Sequence, residues 1–179
     1  MPMKKILIFL PLIILTQSCL VFHSVSYEVK LDNEKSGNVV VMVNDIRSDA
    51  VNTSELEEDK NQLFNFLLKS DDFIQQMKEE GKMITDRRLF NSEGKLKGNI
   101  NYTFNDISDV EGIVYEETFY FLTLGVDDSV ISTNGELIKS ENYKRIMWDS
   151  SLTVLKFEMF SADVSSGNLV ELTKYLEED

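Results

Sequence analysis

Cys19 is the only cysteine of this 179-residue chain, and His23, four positions on, is its only histidine. A thiol can attack as a thiolate or carry an acyl group, and an imidazole can act as a base or bind a metal. One of each leaves few options. No disulfide can form within the chain, and no Cys/His spacing fits zinc. A Ser-His-Asp triad built on a histidine so near Cys19 is not expected. Asp127-Asp128 offers two carboxylates, but neighbouring acids are commonplace among 31 acidic residues. Glycoside hydrolysis would also need them at a set separation across a sugar. Asp32, Glu34, Ser36 and Gly37 imitate the start of a calcium loop, yet its twelfth position is Val43, not an acid. A hairpin turn explains that segment better. There is no Gly-rich phosphate loop and no G-x-S-x-G elbow. No catalytic residue, metal or cofactor is therefore assigned, and the chain is not expected to be an enzyme.

The thiol's surroundings carry more information. Lys4 and Lys5 form a basic head, and Ile6 to Leu15 is apolar except for Pro11. Thr16, Gln17 and Ser18 then lead into Cys19. The run falls short of the ~20 apolar residues that span a bilayer. Its layout is that of an export signal, and the cysteine directly after it resembles a bacterial lipoprotein signal. Thr16 stands where that class usually has leucine, and Ser18 meets the need for a small residue before the cut. The resemblance implies acylation of the Cys19 thiol, removal of 1–18 and anchoring in a membrane. Two or more acyl chains hold a protein stably, at ~0.8 kcal/mol per buried CH₂. The alternative is an ordinary secretory leader with an incidental cysteine.

Loss of residues 1–18 leaves 161 residues, enough for one domain with its own core. It also takes the net charge from −13 to −15, since Lys4 and Lys5 are the leader's only charges. So acidic a surface repels phosphate backbones, which argues against nucleic acid as a partner. The acids are spread along the chain, as a solvated surface would have them. The expected organisation is a signal over 1–18, a lipidated tether over 19–24 and a single domain over 25–179.

The pattern predicts the elements of that domain. Val25, Tyr27, Val29 and Leu31 alternate with polar residues, which reads as a half-buried strand. A turn over 32–38 leads to Val39–Val43, a strand apolar on both faces, which needs another layer or an apolar cavity as cover. Residues 53–80 are helical in pattern, capped by Thr53 or Ser54, restarting at Ser70 and stopping at Gly81. Strands are expected over 83–90 and 96–104, a short helix within 105–116 capped by Asp106 or Ser108, then strands over 118–124, 130–133, 137–140, 143–148 and 152–160. Asn134-Gly135 reads as a two-residue hairpin turn. A phase shift between Val154 and Leu155 suggests a bulge or a strand boundary other than 152. Residues 166–178 suggest a closing helix. This order gives an α+β class, a curved antiparallel sheet packed on one or two helices.

Aromatic residues gather in the strand-rich half, and two readings of them stand open. They are core, or they line a pocket for an apolar ligand, with Phe119, Phe121, Tyr143, Trp148 and Phe157 as the candidate ligand-binding residues. The order of elements also resembles the LppM-like group of bacterial lipoproteins. The similarity rests on the cysteine, a strand, the Ser36-Gly37 turn, a second strand and a helical segment. It continues through Tyr102-Thr103-Phe104-Asn105-Asp106, then Gly135–Ser140 and Trp148-Asp149. It implies an α+β envelope domain for which lipid binding has been proposed, and transfers no catalytic residue.

The reading that results is a non-enzymatic bacterial cell-envelope lipoprotein binding an apolar ligand or lipid. The alternatives are a structural or assembly subunit of an envelope complex and, behind both, a carboxylate hydrolase. No acid follows Cys19 before Glu28, so a periplasm-facing position is preferred.

Overall fold

The structure is a computed structural model and describes residues 20–165 and 168–176. The leader and Cys19 lie outside the described residues. In chain order the elements are β1 (Leu20–Leu31), β2 (Gly37–Ser48), α1 (Thr53–Lys60), a π-helical stretch (Asn61–Leu67) and α2 (Asp71–Glu79). Then come β3 (Met83–Ser92), β4 (Lys95–Phe104), a 3-10 turn (Ile107–Asp109), β5 (Val114–Glu116) and β6 (Phe119–Leu124). Next are β7 (Ser129–Thr133), β8 (Glu136–Lys139), β9 (Lys144–Asp149), β10 (Val154–Phe160) and β11 (Val170–Glu171). Antiparallel strands dominate, with the helical residues inserted between β2 and β3. Among the described residues no helix is long and apolar enough to cross a membrane.

The strands form two sheets, where the sequence suggested one. The larger is seven-stranded in the order β3-β4-β2-β1-β10-β7, with β11 added to β2. The smaller is four-stranded, in the order β5-β6-β9-β8. Val29, Val39, Leu155 and Phe157 of the larger sheet share one buried cluster with Tyr120, Leu122, Ile146 and Trp148 of the smaller. The Phe157 ring stacks on Tyr27 at 4.6 Å and lies 5.8 Å from Trp148.

Four expectations are corrected. The tether over 20–24 is the first part of β1, because Leu20 and Phe22 are buried and pair with Ser48 and Ile46. Strand pairing there satisfies backbone groups that a tether would leave to water. The cap of α1 is Asn52, whose Oδ1 accepts from the Glu55 amide at 3.0 Å, not Thr53 or Ser54. In β10 the register slips between Glu158 and Met159, four residues beyond the expected place. The closing helix is absent over the described part of 166–178, where β11 pairs Val170 with Ser48 and a single 3-10 turn follows. Its leucine spacing reflects Leu172, fully buried, flanked by half-buried Leu169 and Leu176.

Asn134-Gly135 is a fifth correction. The strands on either side of it belong to different sheets, since β7 pairs with β10 and β8 with β9. The segment is a crossing between sheets and not a hairpin turn. The Asn134 carboxamide accepts from Lys156 N at 2.7 Å and donates to Val154 O at 2.9 Å. Local dipeptide preference is thus overridden by bonds to residues 20 and more positions away.

Other expectations stand. The turn after β1 closes on Asn33, whose Oδ1 accepts from the amides of Lys35 and Ser36. Ser70 caps α2, Gly81 ends it at φ 80°, and Asp106 caps the 3-10 turn.

Candidate functional site

An apolar cavity of about 130 Å³ lies between the helical residues and the larger sheet. The helical wall follows from sequence spacing. Phe73 and Met77 are four apart on α2, so they share a face, and both are buried. Leu63 and Leu67 come from the π-helical stretch, and Leu63 is 4% exposed. The sheet contributes Val41, Val43 and Ile46 from β2, Ile100 from β4, and Leu20 and Phe22 from β1.

These sheet positions do not share one parity. In an undisturbed strand, residues two apart face the same side. Val41 and Val43 nevertheless line the same cavity as Ile46, and Tyr27 the same cavity as Phe22. The inversion falls at Asp45, which has φ 55°, between the pairs Ser24–Asn44 and Phe22–Ile46. A left-handed residue turns the strand over without adding a residue to the register. The Asp45 carboxylate holds that conformation by accepting from Arg47 Nε at 2.8 Å, with Lys95 Nζ 3.4 Å away.

One end of the cavity is polar. Lys82, 3% exposed, is held there by the Gly81 turn, and its Nζ lies 3.4 Å from Glu80 and 3.7 Å from Glu111. Glu111 also accepts a hydrogen bond from the Tyr27 hydroxyl. Burial pushes the Glu111 carboxyl above the usual range, against the opposing charge of Lys82 and the Tyr27 bond. Burial, then the Glu111 charge, pushes both Tyr27 and Tyr102 well above the ordinary phenol. The Tyr102 hydroxyl, on a residue 2% exposed, has no hydrogen-bond partner in the protein.

At its other end the cavity meets a groove of about 600 Å³, with Leu68, Arg87, Arg88 and Leu89 lining both. Arg87 is fixed there by Nη1, which donates to Leu67 O at 3.0 Å and Ser70 O at 2.9 Å. Leu67 ends the π-helical stretch, where carbonyls lack intrahelical partners, and Ser70 is the cap of α2, so Arg87 ties the two helical segments together.

This arrangement can shelter an apolar group from water. A buried carboxyl with a raised pKa is also what a general acid requires. Here Glu111 is engaged by Tyr27 and Lys82. Among the described residues no group of three metal-binding side chains converges.

None of the five aromatic candidates lines the cavity. Trp148 and Phe157 are in the core. Phe119 and Tyr143 are exposed, and Phe121 and Tyr143 flank the Arg145 guanidinium at 4.5 and 5.1 Å. His23 is exposed on β1, edge-on to Phe160 at 5.5 Å. Asp128 accepts from the Gly125 amide at 2.6 Å within a local turn. Sequence reasoning missed Leu20, Phe22, Lys82 and Glu111 as site residues. Val21 between Leu20 and Phe22 breaks the polar–apolar alternation that would have marked the first two. Nothing in the sequence places Lys82 beside Glu111.

No family model, curated protein or solved structure matches the chain.

Proposed function

We propose that this chain is a non-enzymatic lipoprotein of the bacterial cell envelope, anchored through acylated Cys19 and facing the periplasm, whose domain binds an apolar ligand. The fold in this reading is α+β, with the larger sheet curving over the helices so that a cavity remains between them. That cavity is the observation that carries the proposal. Its apolar walls stand open to a groove, and the leader sequence accounts for the envelope location. The LppM-like resemblance leads to the same expectation.

Native mass spectrometry of the gently extracted protein tests it. The expected result is a lipid adduct on a chain beginning at acylated Cys19. A bare chain would remove the ligand reading, and an unmodified thiol would remove the anchor.

A second reading, an assembly subunit, is favoured by the outer face of the smaller sheet. Val114, Phe121 and Met147 fall in register across β5, β6 and β9, with Val114 and Phe119 exposed. Phe121 and Met147 are half-buried beside them, so this face offers a partly apolar surface to a partner. Crosslinking in cells separates the two, because a stoichiometric partner captured through this face favours assembly.

A further inference from the structure

The cavity is too small to hold a whole lipid. Its 130 Å³ is close to the ~150 Å³ that accommodates one benzene ring, and well below the ~300–1,000 Å³ of ordinary ligand sites. A bound amphiphile must place a short stretch of chain inside and lay the rest in the adjoining groove. The chemistry of the groove therefore decides the other end of the ligand.

That groove is basic in an acidic protein. Lys60, Lys69, Arg87 and Arg88 line it against one acid, Glu57, while the whole chain carries −13. Glu57 is already paired with Lys60 at 2.8 Å, and Arg87 holds helix carbonyls. Lys69 and Arg88 are exposed, and Arg88 lies 5.7 Å from the Phe90 ring. Their charge is open to a ligand. The polar inner end, by contrast, already balances Lys82 against Glu80 and Glu111.

We infer that the site takes an anionic amphiphile, with its chain in the cavity and its carboxylate or phosphate head in the groove between Lys69 and Arg88. This rests on the apolar-ligand reading above and adds the charge and orientation of the ligand. A concave site rimmed by one sign of charge raises the local concentration of the opposite sign. An otherwise acidic surface would turn the same anions away elsewhere.

The test uses ten-carbon chains with a photoreactive group at the tail and a carboxylate, hydroxyl or trimethylammonium head. Each is incubated with the full native protein, and labelled peptides are mapped by mass spectrometry. The carboxylate should label Leu63, Phe73 or Ile100 peptides at roughly tenfold lower concentration than the hydroxyl, a difference of about 1.4 kcal/mol. Trimethylammonium should label least. Lys69→Glu with Arg88→Glu, both at exposed positions, should reverse the order of the heads, so that trimethylammonium labels cavity peptides better than the carboxylate. Added salt should shrink the wild-type preference. Equal labelling by all three heads would overturn the inference while leaving the apolar-ligand reading intact. A phosphate-headed chain, run in parallel, separates the two anion types. No labelling of cavity peptides by any chain would remove that reading as well.

Discussion

The Trp148 indole N–H donates to the Asn134 carboxamide oxygen at 2.9 Å, and that bond joins the two sheets. Trp148 belongs to β9 of the smaller sheet, and the same oxygen accepts from Lys156 N on β10 of the larger. One side chain thus satisfies donors from both sheets at the point where the chain crosses between them.

Asn134→Ala should therefore destabilise the protein by about 2 kcal/mol, because it strands the N–H of an indole that is 1% exposed. Gly135→Ala should destabilise by a different route. An added Cβ would lie 2.6 Å from Met147 O and 2.7 Å from the Trp148 ring. Urea denaturation followed by Trp148 fluorescence measures both. An Asn134→Ala midpoint equal to wild type would mean that the crossing is held by something other than this side chain.

At Asp45, glycine should be better tolerated than alanine. Both substitutions lose the bond to Arg47 and the charge facing Lys95, so the comparison isolates the backbone at φ 55°. An L-residue with a Cβ pays roughly 1–2 kcal/mol in the left-handed region, and glycine does not. Asp45→Gly should thus be about 1 kcal/mol more stable than Asp45→Ala, the reverse of the usual order within a strand. Equal stability would show that the inversion of β2 does not depend on that conformation.

The same residue marks the limit of what the sequence revealed. Alternation exposed β1 from Val25 onward, and caps at Ser70 and Asp106 with the stop at Gly81 were visible because they are set by near neighbours. Ile46 escaped because its parity is opposite to that of Val41 and Val43, which the turn-over at Asp45 reconciles, and Leu20 and Phe22 because their parity is opposite to that of Tyr27 on the same strand. Asn134-Gly135 misled for the complementary reason, since its role is fixed by partners in β9 and β10. The polar end of the cavity was invisible because Lys82 and Glu111 meet only after β3 and β4 have folded between them.

Glu111 should make stability fall as the pH rises through the acid range. Its folded carboxyl holds a proton more tightly than a glutamate in the unfolded chain, chiefly through burial. Between the ordinary glutamate pKa and the raised value, the folded state binds more protons, so rising pH favours unfolding. The contribution is complete below the ordinary value and gone above the raised one. Asp109, also raised by burial and by Asp106, acts in the same direction. Asp45 acts oppositely: burial resists its ionisation, but the Arg47 bond and the Arg47 and Lys95 charges outweigh it and hold its carboxyl low. Subtracting the stability curve of Glu111→Gln from that of wild type removes these other groups. The difference should fall with pH across this window and then level. A flat or rising difference would show that Glu111 does not ionise against its surroundings.

Filling the cavity should abolish binding while the fold survives. Ile100 lines the space from β4 and is only partly buried, so a larger ring there can enter the cavity without displacing the fully buried core. Ile100→Trp should cost about 1–3 kcal/mol from overpacking, and retain the far-UV circular dichroism of the wild type. Its labelling by any ten-carbon probe should fall to background. Lys69→Glu with Arg88→Glu should behave differently, reversing the preference between the anionic and cationic heads instead of lowering the labelling by every probe to background. If Ile100→Trp labels as wild type does, the chain binds elsewhere, and the outer face of the smaller sheet around Phe121 and Met147 becomes the place to map next.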